Sequence, residues 1–343
     1  MSGELRVLLV GAGRAGLVHG RNFAAGVPGA RLAALADTSR EALDRASGEL
    51  GCERVLTDPL AAVTDEAVDA VVLATPTFTH AELAVAALGA GKHVLCEKPL
   101  ASSLEGAAAV ESAVEAASGV FLIGFMRRFD PGFLRAREAV EAGEIGEPLF
   151  VRSTGRGPGL PPAWAWDPSV SGGLIAEVNS HDLDSVRWLS GREFQTVYAL
   201  GRAAKRPDIA ERHPGFTDLV LATFELSGGA LASVDGACPA DYGYDARVEV
   251  YGSEGVVFAG DPRADATLVV RADGARSAPV ASWRAAFADA YRAEDAHFVR
   301  AARGEEDPRT TVRDGIRALE GVVAVNRSLA EGRPVDVAAA VRG

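Results

Sequence analysis

Apolar residues follow two rhythms along this chain. Up to about residue 125, short strand-like runs at residues 5–10, 31–37, 54–56, 70–74, 93–96 and 120–125 alternate with segments of helical pattern. Several helix starts are legible. Thr38-Ser39-Arg40-Glu41 has capping-box spacing, and Asp58-Pro59 sets a cap before a proline at the first helical position. Strict strand–helix alternation predicts an α/β, doubly wound parallel sheet with helices on both faces. Asp130-Pro131 opens a further helix that ends near Gly143.

Beyond that point the helices between strands disappear. Strand-like runs at residues 148–154, 194–201, 216–226, 230–236, 244–251 and 266–272 are joined by turn signals such as Ser227-Gly228-Gly229 and Asp273-Gly274. Runs of strands without crossovers predict a mostly antiparallel sheet in an α+β domain. One helix over residues 173–190 interrupts them, and two more, over residues 283–302 and 312–330, close the chain. The change of pattern puts a domain boundary near residue 125, with residues 1–125 on one side and 126–343 on the other.

A chain of 343 residues suits two domains, and its 48% apolar content without repeats or low-complexity tracts is that of a globular protein. The net charge of -12 argues against nucleic acid, whose phosphates need a basic surface. No apolar stretch approaches the roughly 18 residues of a membrane span, and the first ten residues run straight into a strand without a leader pattern. Cys52, Cys96 and Cys238 are odd in number and far apart, which disfavours a disulfide framework and a cysteine metal site. The expected location is the cytoplasm. No metal-ligand spacing, P-loop or G-x-S-x-G motif is present, so no metal is expected.

Val7-Leu8-Leu9-Val10-Gly11-Ala12-Gly13-Arg14-Ala15-Gly16 carries an apolar strand into G-x-G-x-x-G at a helix start. Such glycines permit a tight turn and close backbone approach to a pyrophosphate resting on the positive helix N-terminus. Gly11, Gly13, Arg14 and Ala15 are therefore candidate dinucleotide contacts. Asp37 comes 21 residues after Gly16, at the end of the next strand. A carboxylate there bonds ribose hydroxyls and repels a 2′-phosphate, which favours NAD, while Arg40 nearby suits NADP. Lys98, followed by Pro99, ends the fifth strand, where open α/β sheets bind their ligands. A shielded lysine there orients a substrate hydroxyl or exchanges its proton; the alternative is a solvated loop lysine. Thr75, His80, Glu97, Lys98 and Pro99, at the ends of the fourth and fifth strands, are further candidate cofactor contacts, although His80 equally suits a turn cap.

Glu177, His181 and Asp184 stand at i, i+4 and i+7, one face of the expected 173–190 helix. A carboxylate one turn from an imidazole fixes its tautomer and raises its basicity, and such a pair takes a proton from an alcohol as hydride leaves. The plainer alternative is a salt-bridged surface face. Asp184 is the candidate for a ring hydroxyl. Arg128, beside Arg127, suits hydroxyl-rich or anionic ligands or else an ordinary charged surface. Trp166, with Trp164 in a Gly/Pro-rich loop, either floors a sugar-like ring or packs the loop.

The chain resembles the Gfo/Idh/MocA oxidoreductase family from end to end. The resemblance rests on Gly11 to Gly16, on Ala74-Thr75-Pro76-Thr77 with His80, and on Glu97-Lys98-Pro99, the most specific of the motifs. It continues through Gly124-Phe125-Met126-Arg127-Arg128-Phe129-Asp130, Ser171-Gly172-Gly173 with His181 and Asp184, and residues 249–255. It implies an N-terminal Rossmann domain, and a C-terminal domain whose open sheet makes homodimer or homotetramer contacts. It implies NAD-linked oxidation of a secondary alcohol on a sugar, amino sugar, nucleotide sugar or cyclitol, or the reverse reduction. Lys98 and His181 match the family's lysine and histidine of proton transfer and substrate orientation, and Lys98-Pro99 is expected to be cis. Glu177 stands where the family usually has aspartate. The family also includes a dinucleotide-dependent corepressor and NAD-dependent glycosidases; the pairing of Lys98 with His181 disfavours the corepressor.

Overall fold

The computed structural model describes residues 3–342. The chain forms two compact units, and each is interrupted in sequence: Met1–Phe129 with Ala288–Arg317, and Asp130–Phe287 with Ala318–Gly343. The pattern change near residue 125 thus lies close to the first crossing, while the segment Ala288–Arg317 returns to the first unit.

The first unit is built on six parallel strands: β1 (Leu5–Val10), β2 (Ala30–Ala36), β3 (Val55–Leu56), β4 (Ala70–Leu73), β5 (His93–Glu97) and β6 (Phe121–Gly124), in the order β3-β2-β1-β4-β5-β6. That order is the doubly wound one, reversing between β1 and β4. All four residues of β4 and of β6 are buried, because helices cover both faces. Asp58 caps the helix Pro59–Val63 through its carboxylate, as the sequence indicates. Ser39 caps the next-earlier helix, Arg40–Leu50, by accepting from the Ala42 amide, so the cap falls one residue after Thr38.

The helix Ala288–Ala302 seals this unit. Phe298, Val299, Ala301 and Ala302 join the core formed by Leu5, Val7, Leu9 and Phe23. Polar groups tie it down as well. His19, on the helix Gly16–Gly26 that follows β1, is 0% exposed and places Nδ1 2.6 Å from Asp295 Oδ1. Asn22 Nδ2 donates to the other oxygen of Asp295 at 2.7 Å. His19 Nε2 lies 3.3 Å from Glu97 Oε1, so both ring nitrogens face carboxylates and the arrangement calls for an imidazolium. Burial by itself would push the imidazole down. The charge and hydrogen bond of Asp295, reinforced by Glu97, outweigh it and hold His19 well above its ordinary value. Glu294, also 0% exposed, has no hydrogen-bond partner among the described residues for either carboxylate oxygen; burial pushes it well up, helped by the charges of Glu97 and Asp295.

The second unit is built on β7 (Pro148–Arg156), β8 (Phe194–Arg202), β9 (Leu219–Leu226), β10 (Leu231–Ala237), β11 (Asp245–Gly252) and β12 (Val256–Ala259). A detached hairpin, β13 (Val269–Arg271) with β14 (Gly274–Arg276), and the short β15 (Val335–Asp336) complete the strands. The large sheet runs β12-β11-β7-β10-β9-β8-β15 and is antiparallel except for β7 with β10. Strict alternation along β9 buries Val220, Ala222, Phe224 and Leu226 on one face and exposes Leu219 and Leu221 on the other.

Four expected elements differ, the first being the helix over residues 283–302, which breaks at Phe287 into Trp283–Ala286 and Ala288–Ala302. The run at residues 266–272 shortens to β13, which is exposed throughout and, among the described residues, pairs only with β14, leaving Val269 and Val270 apolar and exposed. The strand expected from residue 216 starts at Leu219, because the Asp218 carboxylate accepts the amides of Ala204, Lys205 and Arg206 and holds a turn there. The helix over residues 173–190 is two helices, Gly173–Glu177 and Ser180–Ser190. At the break the Asn179 amide reaches back five residues to the Leu174 carbonyl (3.3 Å), a widened turn of π type.

The cause of that break is visible beneath it. Asp182 and Asn179 are buried against the sheet, where Ser153 Oγ donates to Asp182 Oδ1 (2.6 Å) and Asn179 Nδ2 donates to Asp182 Oδ2 (2.8 Å). Gly155 on β7 and Gly236 on β10 make room, since a Cβ at either position would fall 2.0 Å from these side chains.

A charged His19 sets the sign of the pH dependence. Its folded value lies above the unfolded value of about 6.5, so its contribution to stability is complete below that pH and is lost as pH rises toward the folded value. Denaturant titrations from neutral to alkaline pH should show unfolding free energy falling by up to about 1.4 kcal/mol per pH unit from this group. His19→Gln should lose that share of the slope; identical slopes in the two proteins would contradict the imidazolium.

Candidate functional site

At the carboxyl edge of the parallel sheet the chain turns tightly after β1. Gly11 has φ 97°, and a Cβ there would lie 2.5 Å from the carbonyl oxygen of Ala74, the residue after β4. A Cβ at Gly16 would lie 1.8 Å from the Gly11 carbonyl oxygen, so the first and last glycines are demanded by closeness of backbone. Gly13 is different: nothing lies within 4 Å of where its Cβ would be, and both it and Arg14 are exposed. Ala15 supplies no side-chain cap to the Gly16–Gly26 helix, and its first turn holds no acidic residue. An uncapped, positive helix start beside an open glycine is the shape and charge that a pyrophosphate needs.

Asp37 stands next to this turn. Its Oδ2 accepts the Ala12 amide (2.8 Å) and its Oδ1 accepts the Ser39 amide (2.8 Å), so the carboxylate is aimed by the glycine turn itself. Arg40 is exposed and engaged with Asp44 at 2.9 Å. The residues present therefore fit a dinucleotide whose ribose hydroxyls donate to the remaining lone pairs of Asp37.

Beyond β4, Thr75 Oγ1 and Thr79 Oγ1 lie 2.7 Å apart. The buried His80 ring sits between two backbone carbonyls, with Nδ1 2.7 Å from Pro99 O and Nε2 2.9 Å from Thr75 O. Burial holds its pKa below the ordinary value, against the pull of those carbonyls and of Glu97. His80 thus ties the end of β4 to the residues after β5, which is the turn-holding alternative that the sequence left open. The Lys98-Pro99 bond is cis. Glu97 is buried at the end of β5 and accepts the Lys98 amide on Oε2 at 3.1 Å. Arg128, also in this unit, is buried and donates to Asp314 Oδ1 at 2.8 Å.

In the second unit, His181 and Asp184 lie on the helix Ser180–Ser190 and are buried, while Glu177 is half-buried at the end of the preceding helix. The i, i+3 relation of His181 to Asp184 holds on one helix. The expected single helix carrying Glu177 as well does not, because the widened turn at Val178 and Asn179 separates Glu177 from the helix of His181. Trp166 is half-buried in a short 3-10 turn, its Nε1 donating to the Pro161 carbonyl (3.0 Å) and its ring edge-on to His213.

Sequence reasoning missed His19, Asp295, Asn179 and Asp182. His19 had a signal: it shares the buried stripe of its helix with Gly16 and Phe23, and an ionisable residue at a core position needs a partner. Asp295, 276 residues away, had none.

Residues 5–125 match the family of oxidoreductases with an NAD-binding Rossmann fold, and residues 133–258 match the GFO/IDH/MocA C-terminal domain. The scyllo-inositol 2-dehydrogenase (NAD(+)) of Bacillus subtilis is 34% identical over 337 residues, covering 98% of this chain and 97% of that protein. The myo-inositol 2-dehydrogenase of Thermotoga maritima is 34% identical over 96% of this chain and 98% of its own length. Among solved structures, scyllo-inositol dehydrogenase from Lactobacillus casei with bound NAD(H) and scyllo-inositol superposes with a TM-score of 0.90 at 29% identity, over 98% of this chain and 99% of that one. With both halves matched and a glycine turn shaped for the dinucleotide, the chain belongs to the GFO/IDH/MocA family of NAD-dependent oxidoreductases.

Proposed function

We propose that this chain is an NAD-dependent inositol dehydrogenase, oxidising one ring CH–OH of a cyclitol to the ketone or running the reverse reduction. The observation that carries the reading is Glu97-Lys98-Pro99 at the carboxyl end of β5, on the sheet edge that also bears the glycine turn and Asp37. The substrate class is taken from three relatives named as inositol dehydrogenases, each matched over at least 97% of its own length. Residues 1–125 would bind the dinucleotide through Gly11, Gly13, Arg14, Ala15, Asp37, Thr75 and the 97–99 turn, and residues 126–343 would supply substrate contacts. Bound NAD supplies the acceptor for hydride. His181 takes the hydroxyl proton, Glu177 supports the resulting imidazolium, and Lys98 holds and polarises the reacting oxygen. Asp184, Arg128 and Trp166 bind the ring and its hydroxyls. Among the described residues no helix is long and apolar enough to cross a membrane; we infer a cytoplasmic enzyme.

The same reading makes the chain a homo-oligomer through its second unit. The outward face of the large sheet exposes Leu200 (57%), Leu221, Leu231, Tyr251 and Phe258 (68%) on five of its strands, with β7 between those of Leu231 and Tyr251. A contiguous apolar face of this kind marks a protein interface, and a second copy is the occupant proposed.

The unaltered enzyme should oxidise myo- or scyllo-inositol with NAD, followed by absorbance of the reduced nicotinamide; inertness toward both would refute the substrate class. His181→Ala should lower kcat by ~10²–10⁴ with NAD affinity nearly intact, and Lys98→Met should act likewise. Glu177→Gln should cost less, and Asp184→Asn should raise KM more than it lowers kcat. Fluorescence titration should show NADH bound more tightly than NADPH, with Asp37→Ala narrowing the ratio. An unchanged ratio would shift the assignment from Asp37 to Arg40. Sedimentation should give dimers or tetramers that the double substitution Leu221→Asp/Phe258→Asp breaks into monomers; unaltered sedimentation of that variant would rule out the sheet face.

A further inference from the structure

We propose that His19, Glu97 and Asp295 are positioning residues for Lys98, fixing the backbone from which its ammonium group projects. The catalytic side of this inference rests on the reading of Lys98 given above. The physical side rests on how Glu97 is shared. One oxygen of its carboxylate faces His19 Nε2 at 3.3 Å, and the other accepts the amide of the next residue, Lys98, at 3.1 Å. A glutamate that folds back on its own successor needs space across the sheet. Gly124 provides it: it pairs with Glu97 in register on β6, and a Cβ there would sit 3.3 Å from Glu97 Oε2.

So deep a carboxylate keeps its charge only if another charge faces it. Burial pushes Glu97 toward protonation, but the hydrogen bond and charge of His19, with help from Lys98, hold its pKa below the ordinary range. It therefore stays an acceptor on both oxygens and orients the Lys98 N–H. His19 in turn cannot swing away. Asp295 holds its Nδ1, Asn22 holds Asp295, and the Tyr291 ring stands edge-on to it at 5.3 Å. The neighbouring Glu294 is pushed well up by burial, and the charges of Glu97 and Asp295 also oppose its ionisation. On the far side of Lys98, the Pro99 carbonyl lies 2.7 Å from His80 Nδ1. The turn 97–99 is thus gripped from both ends by buried imidazoles, one on the helix after β1 and one on the helix after β4.

The first test needs no substrate. Amide hydrogen exchange, read at single-residue resolution on the NAD-loaded protein, should show the Lys98 amide exchanging about tenfold faster or more in His19→Gln and Glu97→Ala. The amides of Val94, Leu95 and Cys96 should keep their protection. Unchanged Lys98 exchange in folded His19→Gln overturns the proposal outright. The second test is kinetic. Displacing a catalytic group by a fraction of its reach costs up to ~10²-fold, so both variants should lose kcat on that scale with KM little altered. Glu97→Gln, which keeps an oxygen for the Lys98 amide, should lose less than Glu97→Ala. In a Lys98→Met background the same substitutions should cost nothing further; full additivity would overturn the link to Lys98. Full turnover by Lys98→Met alone would instead remove Lys98 from the catalytic reading, with the exchange result still deciding the backbone's placement. If Glu97→Ala fails to fold, His19→Gln and Glu97→Gln are compared by the same exchange measurement.

Discussion

His19 faces a carboxylate at each ring nitrogen, and none of the three groups has meaningful access to solvent. Taking any one of these charges out of water alone costs several kcal/mol, so each is tolerable only because the other two are in place. The arrangement joins the helix that starts at the glycine turn, the strand that ends at Lys98, and the helix Ala288–Ala302. Hydrophobic contacts around Phe298 make these elements adhere. The charges add a positional demand, because shifting one of these elements would leave a buried charge unpaired at a cost of about 3–5 kcal/mol.

The second unit solves a related problem with space instead of charge. Asp182 and Asn179 enter a sheet face where Gly155 and Gly236 have no side chains. Asn179 donates to Asp182, and Ser153 donates to its other oxygen. Bringing the helix that close widens one helical turn, which is flanked by Glu177 before it and by Ser180, then His181, after it. The presentation of His181 is therefore set from below, by the polar contacts of the turn that precedes it.

Much of this architecture is legible in the chain because its signals are local. Asp58-Pro59 caps a helix, Gly11 to Gly16 make the turn, and alternation along β9 tells inside from outside. The motif residues at the ends of β4 and β5 also lie where strand pattern placed them. What escaped depends on partners distant in sequence. Nothing near His19 announces Asp295, and nothing in the periodicity of residues 173–190 announces that two strand glycines will draw the helix in at Asn179. The hairpin of β13 and β14 failed for the opposite reason. Its valines have strand propensity, but propensity does not say whether a sheet edge is there to receive them.

The return of Ala288–Arg317 to the first unit also has a meaning for synthesis. A chain emerging from the ribosome folds its N-terminal domains first, as their contacts become available. Here the first 129 residues emerge with a buried histidine site lacking Asp295 and a core lacking Phe298, while all of Asp130–Phe287 is still to come. The nucleotide-binding half therefore completes itself only late in translation, after most of the other half has been made. It behaves as a clasp closed by the carboxyl-terminal part of the chain, so a nascent or truncated protein ending before that segment exposes an unfinished core.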